Sequence, residues 1–243
     1  MTEAVTALNE GGHSPIVLVC EHASAHIPAE YAELGLAPED RLRHIAWDIG
    51  AAELARLLSA RLDAALFLSG YSRLLIDCNR PPGVPSSIPV RSEDTDIPGN
   101  RDLTPAEIAR RTALCFTPFH ARIAAHLDGR AATGRPSVVI GIHSFTPVFC
   151  GQRRVWHAGV LYGMATGLGA GLIAGLAADP NLVVGDNEPY RIELTEDYTV
   201  PVHGDARGNP AALIEVRQDL LGDAAGIEAW AARLAPVLAG AAL

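Results

Sequence analysis

The chain of 243 residues has four cysteines, Cys20, Cys78, Cys115 and Cys150, and no two of them form a C-x-x-C pair. This spacing supports neither a disulfide framework nor a thiolate zinc centre. Cys20, Cys78 and Cys115 sit in apolar runs and read as small core residues. There is no G-x-S-x-G segment, so a serine nucleophile elbow is not expected. The glycine-rich GLGAG at 167–171 lacks both a preceding strand and a correctly placed acid, which excludes a dinucleotide fingerprint. A thiol nucleophile at Cys20 is disfavoured because the adjacent Glu21 would face the other way on extended chain.

Positive charge is also scarce. Nineteen basic residues stand against 28 acidic ones, a formal net charge of −9. A nucleic-acid groove needs a basic stripe, but the arginines here are scattered among Glu and Asp, so no nucleic-acid partner is expected. Single arginines remain suited to holding a small carboxylate. The most apolar stretch, GLGAGLIAGLAA, is glycine-rich and too short to span a bilayer, so no membrane partner is expected. The leading MTEAVTALNEGGHSP has no basic region followed by a long apolar one, and the cytoplasm is the expected location. Nothing in the pattern fixes the oligomeric state.

What is present is a chain that is 49% hydrophobic, enough for one large α/β domain over 1–243. Residues 1–14 read as a loose tail. IVLVC (16–20) is a continuous apolar run, as expected of a strand buried on both faces. EHASAHIP follows as a loop, and residues 48–64 have helical apolar spacing with Asp48 at the start, where a carboxylate can cap free N–H groups. ALFLSG and RLLIDCN read as two short strands. Residues 80–103 carry five prolines and form a long irregular loop, the kind that shapes or covers a pocket. TPAE (104–107) is a capping box opening a helix to about Leu127. SVVIGIH, VWHAGVLYG, NLVVG and AALIEVRQDL read as strands, GLGAGLIAGLAAD and AAGIEAWAARLAPVL as helices. The alternation predicts an α/β sandwich with helices on both sheet faces. The closely spaced FLSGYSRLLID pair predicts some antiparallel content, hence a mixed sheet.

Two histidines follow buried runs: His22 after IVLVC and His143 within SVVIGIH. Ligands of open α/β sheets bind beyond the carboxyl ends of strands, so two imidazoles delivered there predict a metal site. A catalytic zinc takes three protein ligands plus water. Glu21, His26 and Asp48 are the candidates for the third. Glu21 neighbours His22 on extended chain and should point away, His26 precedes a helix-disfavouring Pro28, and Asp48 begins the next helix, where it could equally be a plain N-cap. Strand alternation in YSRLLIDCNRP places Arg73 and Asp77 on one face, available as an ion pair or for polarising a carbonyl. Asn79 and Arg80 at its end suit a substrate carboxylate. Glu215 stands in an otherwise apolar strand, where a carboxylate is costly unless paired or facing a site. Arg217 two residues on is a structural partner for it or a second substrate contact. As a functional group, Glu215 is a general base. His203, in a glycine-rich loop, is a candidate pocket residue, and His120 reads as packed and hydrogen-bonded.

These residues together make the chain resemble the N-formylglutamate amidohydrolase family over nearly its whole length. SRLLIDCNRP looks like the family's S-R-x-x-x-D-x-N-R-P block, IHSF its H-S-M/F block and IEVRQDL its late I-E-x-R block; PFH and VHG match more weakly. The resemblance implies a three-layer, zinc-peptidase-like α/β/α fold with zinc as cofactor. It implies hydrolysis of a small N-acyl amino acid, N-formyl-L-glutamate to formate and glutamate, at the end of a histidine-degradation route. It also implies metal ligands at His22 and His143 and a carboxylate clamp at Asn79 and Arg80, an arrangement that Asp48 fits as the third ligand by its place at the helix start. The wider zinc-carboxypeptidase group carries H-x-x-E, and the acid position there is Ala25 in this chain. Typical family members carry a P-H-S-G-like segment where this chain has CEHAS. Two other readings stand beside it: a deacylase or carboxypeptidase-like hydrolase of another N-acyl amino acid, and a metal- or carboxylate-binding protein without catalysis.

Overall fold

The computed structural model describes residues 2–241. Seven strands form the central sheet: β1 (Val5–Leu8), β2 (Ile16–Cys20), β3 (Ala65–Ser69), β4 (Val138–Phe145), β5 (Ala158–Leu161), β6 (Val184–Asp186) and β7 (Ala211–Arg217). Their order is β1-β3-β2-β4-β7-β5-β6. The four central strands β3, β2, β4 and β7 are parallel. β1 joins β3 antiparallel at one edge, and β5 runs antiparallel to β7 on the other side. The sheet is therefore mixed, and its antiparallel content comes from these two pairs. The 71–79 segment forms no strand. Leu74, Leu75 and Ile76 are all buried in a separate apolar cluster beneath the loops. Their backbone is held by turns, with Arg73 N–H on the Ala46 carbonyl and Asp77 N–H on that of Ser87. The expected loose tail is also corrected, since Val5–Leu8 pairs along the edge of β3 with half-buried side chains.

Alternation along the buried strands divides the core. Ile16, Leu18 and Cys20 of β2 pack with Ile140, Ile142, Ile214 and Val216 under α1 (Ala51–Leu62), α4 (Thr166–Ala177) and α5 (Ala224–Ala241). The intervening Val17, Val19, Val139 and Leu213 pack on the opposite face against Phe119, Ile123 and Leu127. Those three belong to α3 (Thr117–Ala132). The result is a three-layer α/β/α sandwich with continuous apolar strands at its centre.

Thr104 caps α2 (Pro105–Arg111), its hydroxyl accepting the Glu107 N–H at 3.2 Å. The Glu107 carboxylate turns to Arg110 and Arg111. The helix passes through a π-turn at 112–116 and continues as α3 to Ala132, beyond the expected end near Leu127. Pro118 has no N–H for the preceding turn, and Thr117 N–H reaches back to the Thr112 carbonyl instead. Loop 80–103 is irregular as expected, apart from single-turn helices and a hairpin of Arg91–Ser92 with Thr95–Asp96. No helix among the described residues is long and apolar enough to cross a membrane.

Candidate metal centre and cavity

β2 stops at Cys20 while its neighbours β4 and β7 run on, and the chemistry-bearing residues gather at this carboxyl edge of the sheet. His22 lies just past β2. His143 and Glu215 are register partners on β4 and β7. Asp48 reaches the same point from the loop before α1. That helix begins at Ala51 with Gly50 as its cap at φ +78°, so the Asp48 side chain does not cap it. A Cβ on Gly50 would lie 2.5 Å from the Leu221 Cβ. The Asp48 N–H donates to the His22 carbonyl at 2.9 Å, and its Oδ2 lies 3.3 Å from His22 Nδ1 and 2.8 Å from His143 Nδ1. One donor atom from each of His22, Asp48 and His143 falls within 4.8 Å of the others, and all three residues are buried.

Each imidazole has a carboxylate at its far nitrogen. His22 Nε2 is 2.7 Å from Asp77 Oδ1, and His143 Nε2 is 3.0 Å from Glu21 Oε2. Glu21 continues the odd register of β2 and so faces the side on which His143 stands. Burial pushes the Glu21 carboxyl up, but the His143 imidazole outweighs this and holds it at about 2. Burial and the Arg73 guanidinium push His22 down, and Asp77 and Asp48 overcome both. For His143, burial is outweighed by Glu21 and Asp48, which raise it well above the usual imidazole range. Burial also works against ionisation of Asp77, but Arg73 and His22 hold its carboxyl well below the usual range. Arg73 ties the outer ring together, with Nη2 2.7 Å from Asp77 Oδ2 and Nη1 3.6 Å from Asp48 Oδ1.

The donor set fits a divalent metal. Tetrahedral zinc with bonds near 2.1 Å separates its ligand atoms by about 3.4 Å; His22 Nδ1 lies 3.3 Å from Asp48 Oδ2, and His143 Nδ1 lies closer, at 2.8 Å. Asp77 at His22 Nε2 favours a proton there and a lone pair at Nδ1, while at His143 Nε2 the Glu21 carboxylate approaches to 3.0 Å without a hydrogen bond. That outer arrangement accompanies metal-ligating histidines generally.

Glu215 is buried beside this centre, and its Oε2 has no hydrogen-bond partner. Burial raises its carboxyl to about 7. Glu215, Arg73 and the three candidate ligands line one cavity of about 830 Å³. Its walls include Pro85, Pro89 and Val90 of the long loop, together with Phe149, Tyr190 and Arg191. Burial, reinforced by Glu215, pushes the Tyr190 phenol up.

Asn79 and Arg80 also reach the cavity wall but are engaged by the chain itself. Arg80 forms an ion pair with Asp197, and Asn79 Oδ1 accepts the N–H groups of Tyr198 and Thr199 at 3.2 and 3.0 Å. His203 and Arg217 are not brought to the cavity. His203 is buried with its Nε2 2.9 Å from His120 Nδ1, and His120 Nε2 is 2.6 Å from the Cys78 carbonyl oxygen. Arg217 turns to Asp219 at 2.8 Å and to the Trp156 carbonyl, leaving Glu215 without it. His26 is exposed against the Tyr71 ring and lies outside the donor set. Glu21 and Asp77 lie one layer out from the donor set. Tyr190, Arg191 and Asp197 lie in a stretch without periodicity, and only the run of charged residues after Asn187 marks it.

The crystal structure of gene product Atu2144 from Agrobacterium tumefaciens superposes with a TM-score of 0.95 at 41% identity, covering 98% of this chain and 94% of that one. N-formylglutamate amidohydrolase from Ralstonia eutropha JMP134 shares the fold, with a TM-score of 0.73 at 19% identity over 98% of this chain and 96% of that one. A comparison with curated proteins gives no match. The family model for N-formylglutamate amidohydrolase matches residues 14–221, from just before β2 to just past β7, and the chain belongs to that family.

Proposed function

We propose that this protein is a zinc-dependent amidohydrolase that cleaves the N-acyl amide of an acidic amino acid, converting N-formyl-L-glutamate and water to L-glutamate and formate. The observation that carries the reading is Glu215. A buried carboxylate with an unpartnered oxygen stands beside a His-Asp-His donor set on the wall of a large cavity. Family membership supplies the amide-hydrolase class.

His22, Asp48 and His143 would hold the metal, with Asp77 and Glu21 orienting the two imidazoles. A bound zinc supplies Lewis acidity toward the acyl carbonyl and toward water. Glu215 accepts a proton from the attacking water, then delivers it to the leaving nitrogen as the C–N bond breaks. Burial raises the Glu215 carboxyl to about 7 in the metal-free chain, which favours its holding the proton between the two transfers. Arg73 places fixed positive charge at the cavity wall, where it stabilises the oxyanion formed from the carbonyl. Asp77 and Asp48 hold its guanidinium in place, so it does not reorganise during reaction.

One observation favours a second reading, hydrolysis of a different N-acyl amino acid. A cavity near 830 Å³ is at the upper end for drug-sized ligands, about 300–1,000 Å³, and its rim exposes Val90, Phe149 and Tyr190. A substrate panel separates the two. The zinc-loaded protein should release formate from N-formyl-L-glutamate with a higher kcat/KM than it hydrolyses N-acetyl or longer N-acyl amino acids. Preference for an apolar acyl group would transfer the function to the second reading, and turnover of none would leave a binding protein.

A further inference from the structure

Four guanidinium groups line the cavity: Arg73, Arg80, Arg91 and Arg191. Three are matched by carboxylates of the chain. Arg73 is held by Asp77 and Asp48, Arg80 by Asp197, and Arg91 by Asp96 at 3.1 Å. Arg191 makes no ion pair or hydrogen bond with any described residue.

The pairing at Arg80 is an internal lock. Asp197 is buried, and its Oδ1 takes Arg80 and, at 3.4 Å, Asn79 Nδ2. Its Oδ2 accepts the Glu193 N–H at 2.8 Å. Arg80 also donates to the Glu196 carbonyl. A substrate carboxylate entering this clamp would have to expel Asp197 and leave that charge buried without its partner, a costly arrangement. The lock instead fixes the segment from Glu193 to Thr199. On the other side of Arg191, the Tyr190 ring is stacked under the Arg154 guanidinium at 4.6 Å. Arg191 is thus carried between two anchored points, next in sequence to a tyrosine that shares the cavity wall with Glu215. Glu193 and Glu196 line the same wall; neither forms an ion pair with Arg191, and Glu196 takes the Ser86 hydroxyl instead.

We propose that Arg191 is the specificity-determining residue that takes the substrate carboxylate, and that Asn79 and Arg80 are positioning residues for the segment that carries it. This rests on the acyl-amino-acid reading above. A guanidinium accepts a carboxylate in a two-pronged, charge-assisted contact. That contact exists equally in the ground and transition states, so its loss acts on KM more than on kcat.

The test uses the zinc-loaded protein and its Arg191→Ala, Arg191→Lys and Asp197→Asn variants. Substrates are N-formyl-L-glutamate and its two monoamides, in which either carboxylate is replaced by a carboxamide. Calorimetric binding of L-glutamate provides a readout that needs no turnover. Arg191→Ala should raise KM and the glutamate Kd by about 10- to 100-fold, with kcat within a few-fold and metal content unchanged. It should also lose discrimination against one monoamide, and Arg191→Lys should recover part of the affinity. Asp197→Asn should raise KM by loosening the segment. Unchanged KM and Kd in Arg191→Ala, or a lower KM in Asp197→Asn through release of Arg80, would overturn the proposal while leaving the amidohydrolase reading intact. A wild-type protein that neither releases formate nor binds glutamate would instead overturn that reading, and the Arg191 assignment with it.

Discussion

Glu215 and His143 are register partners in the parallel pairing of β7 with β4. Parallel register places both side chains on the same sheet face, the one covered by α3. The proposed general base and one candidate ligand are therefore set by strand geometry rather than by loop conformation, which gives the more exact placement.

Glu215→Gln keeps the shape and removes the base. Turnover should fall by about 10²- to 10⁴-fold, while elemental analysis finds the metal still bound. Loss of metal in this variant would make Glu215 a ligand.

The pH dependence follows from the same residue. Burial raises the Glu215 carboxyl to about 7 in the metal-free chain, and a nearby cation lowers it. Only the ionised form accepts a proton, so kcat/KM should rise with pH along an acid limb at or below about 7. A rate that falls as pH rises through that range would contradict the assignment.

Glu21 and Asp77 are expected to act through the imidazoles they hold. Glu21→Gln and Asp77→Asn should each weaken metal binding by about 10- to 100-fold, measured by competition with a chelator. Wild-type affinity in both variants would confine these carboxylates to packing.

The paired histidines behind the site predict acid sensitivity. Burial holds His120 down at about 4 and His203 at about 3. Both folded-state values lie below the unfolded one near 6.5, so their stabilisation is present above 6.5 and is lost as pH falls toward the folded values. Urea unfolding at pH 7 and pH 5 should show that His203→Asn loses about 2 kcal/mol less than wild type on acidification. Equal losses would mean that His203 is not buried neutral.

Much of this site can be read from residue order, for reasons that differ by residue. His22 and His143 stand out because continuous apolar runs announce buried strands, and strand ends are where ligands bind. Asp48 is recognisable as an acid beside a helix start, but the cap is Gly50 and the carboxylate turns to the imidazoles. Alternation places Glu21 opposite His22, yet it does not disclose that the neighbouring strand presents His143 on that same side. Arg217 shares the Glu215 face but sits where β7 ends, and Asp219 captures it. RLLIDCN has strand-like composition but buries its apolar residues beneath loops. Asp197 and Arg191 carry no periodic signal, and only tertiary contact pairs Asp197 with Arg80 across 117 positions.

Every role assigned to the site depends on a catalytic metal held by His22, Asp48 and His143. The most direct measurement is elemental analysis paired with formate release from N-formyl-L-glutamate, before chelation, after it and after zinc return. One zinc per chain is predicted, with activity lost on chelation and restored by zinc. Full activity in the chelated, metal-free protein would rule out a catalytic metal.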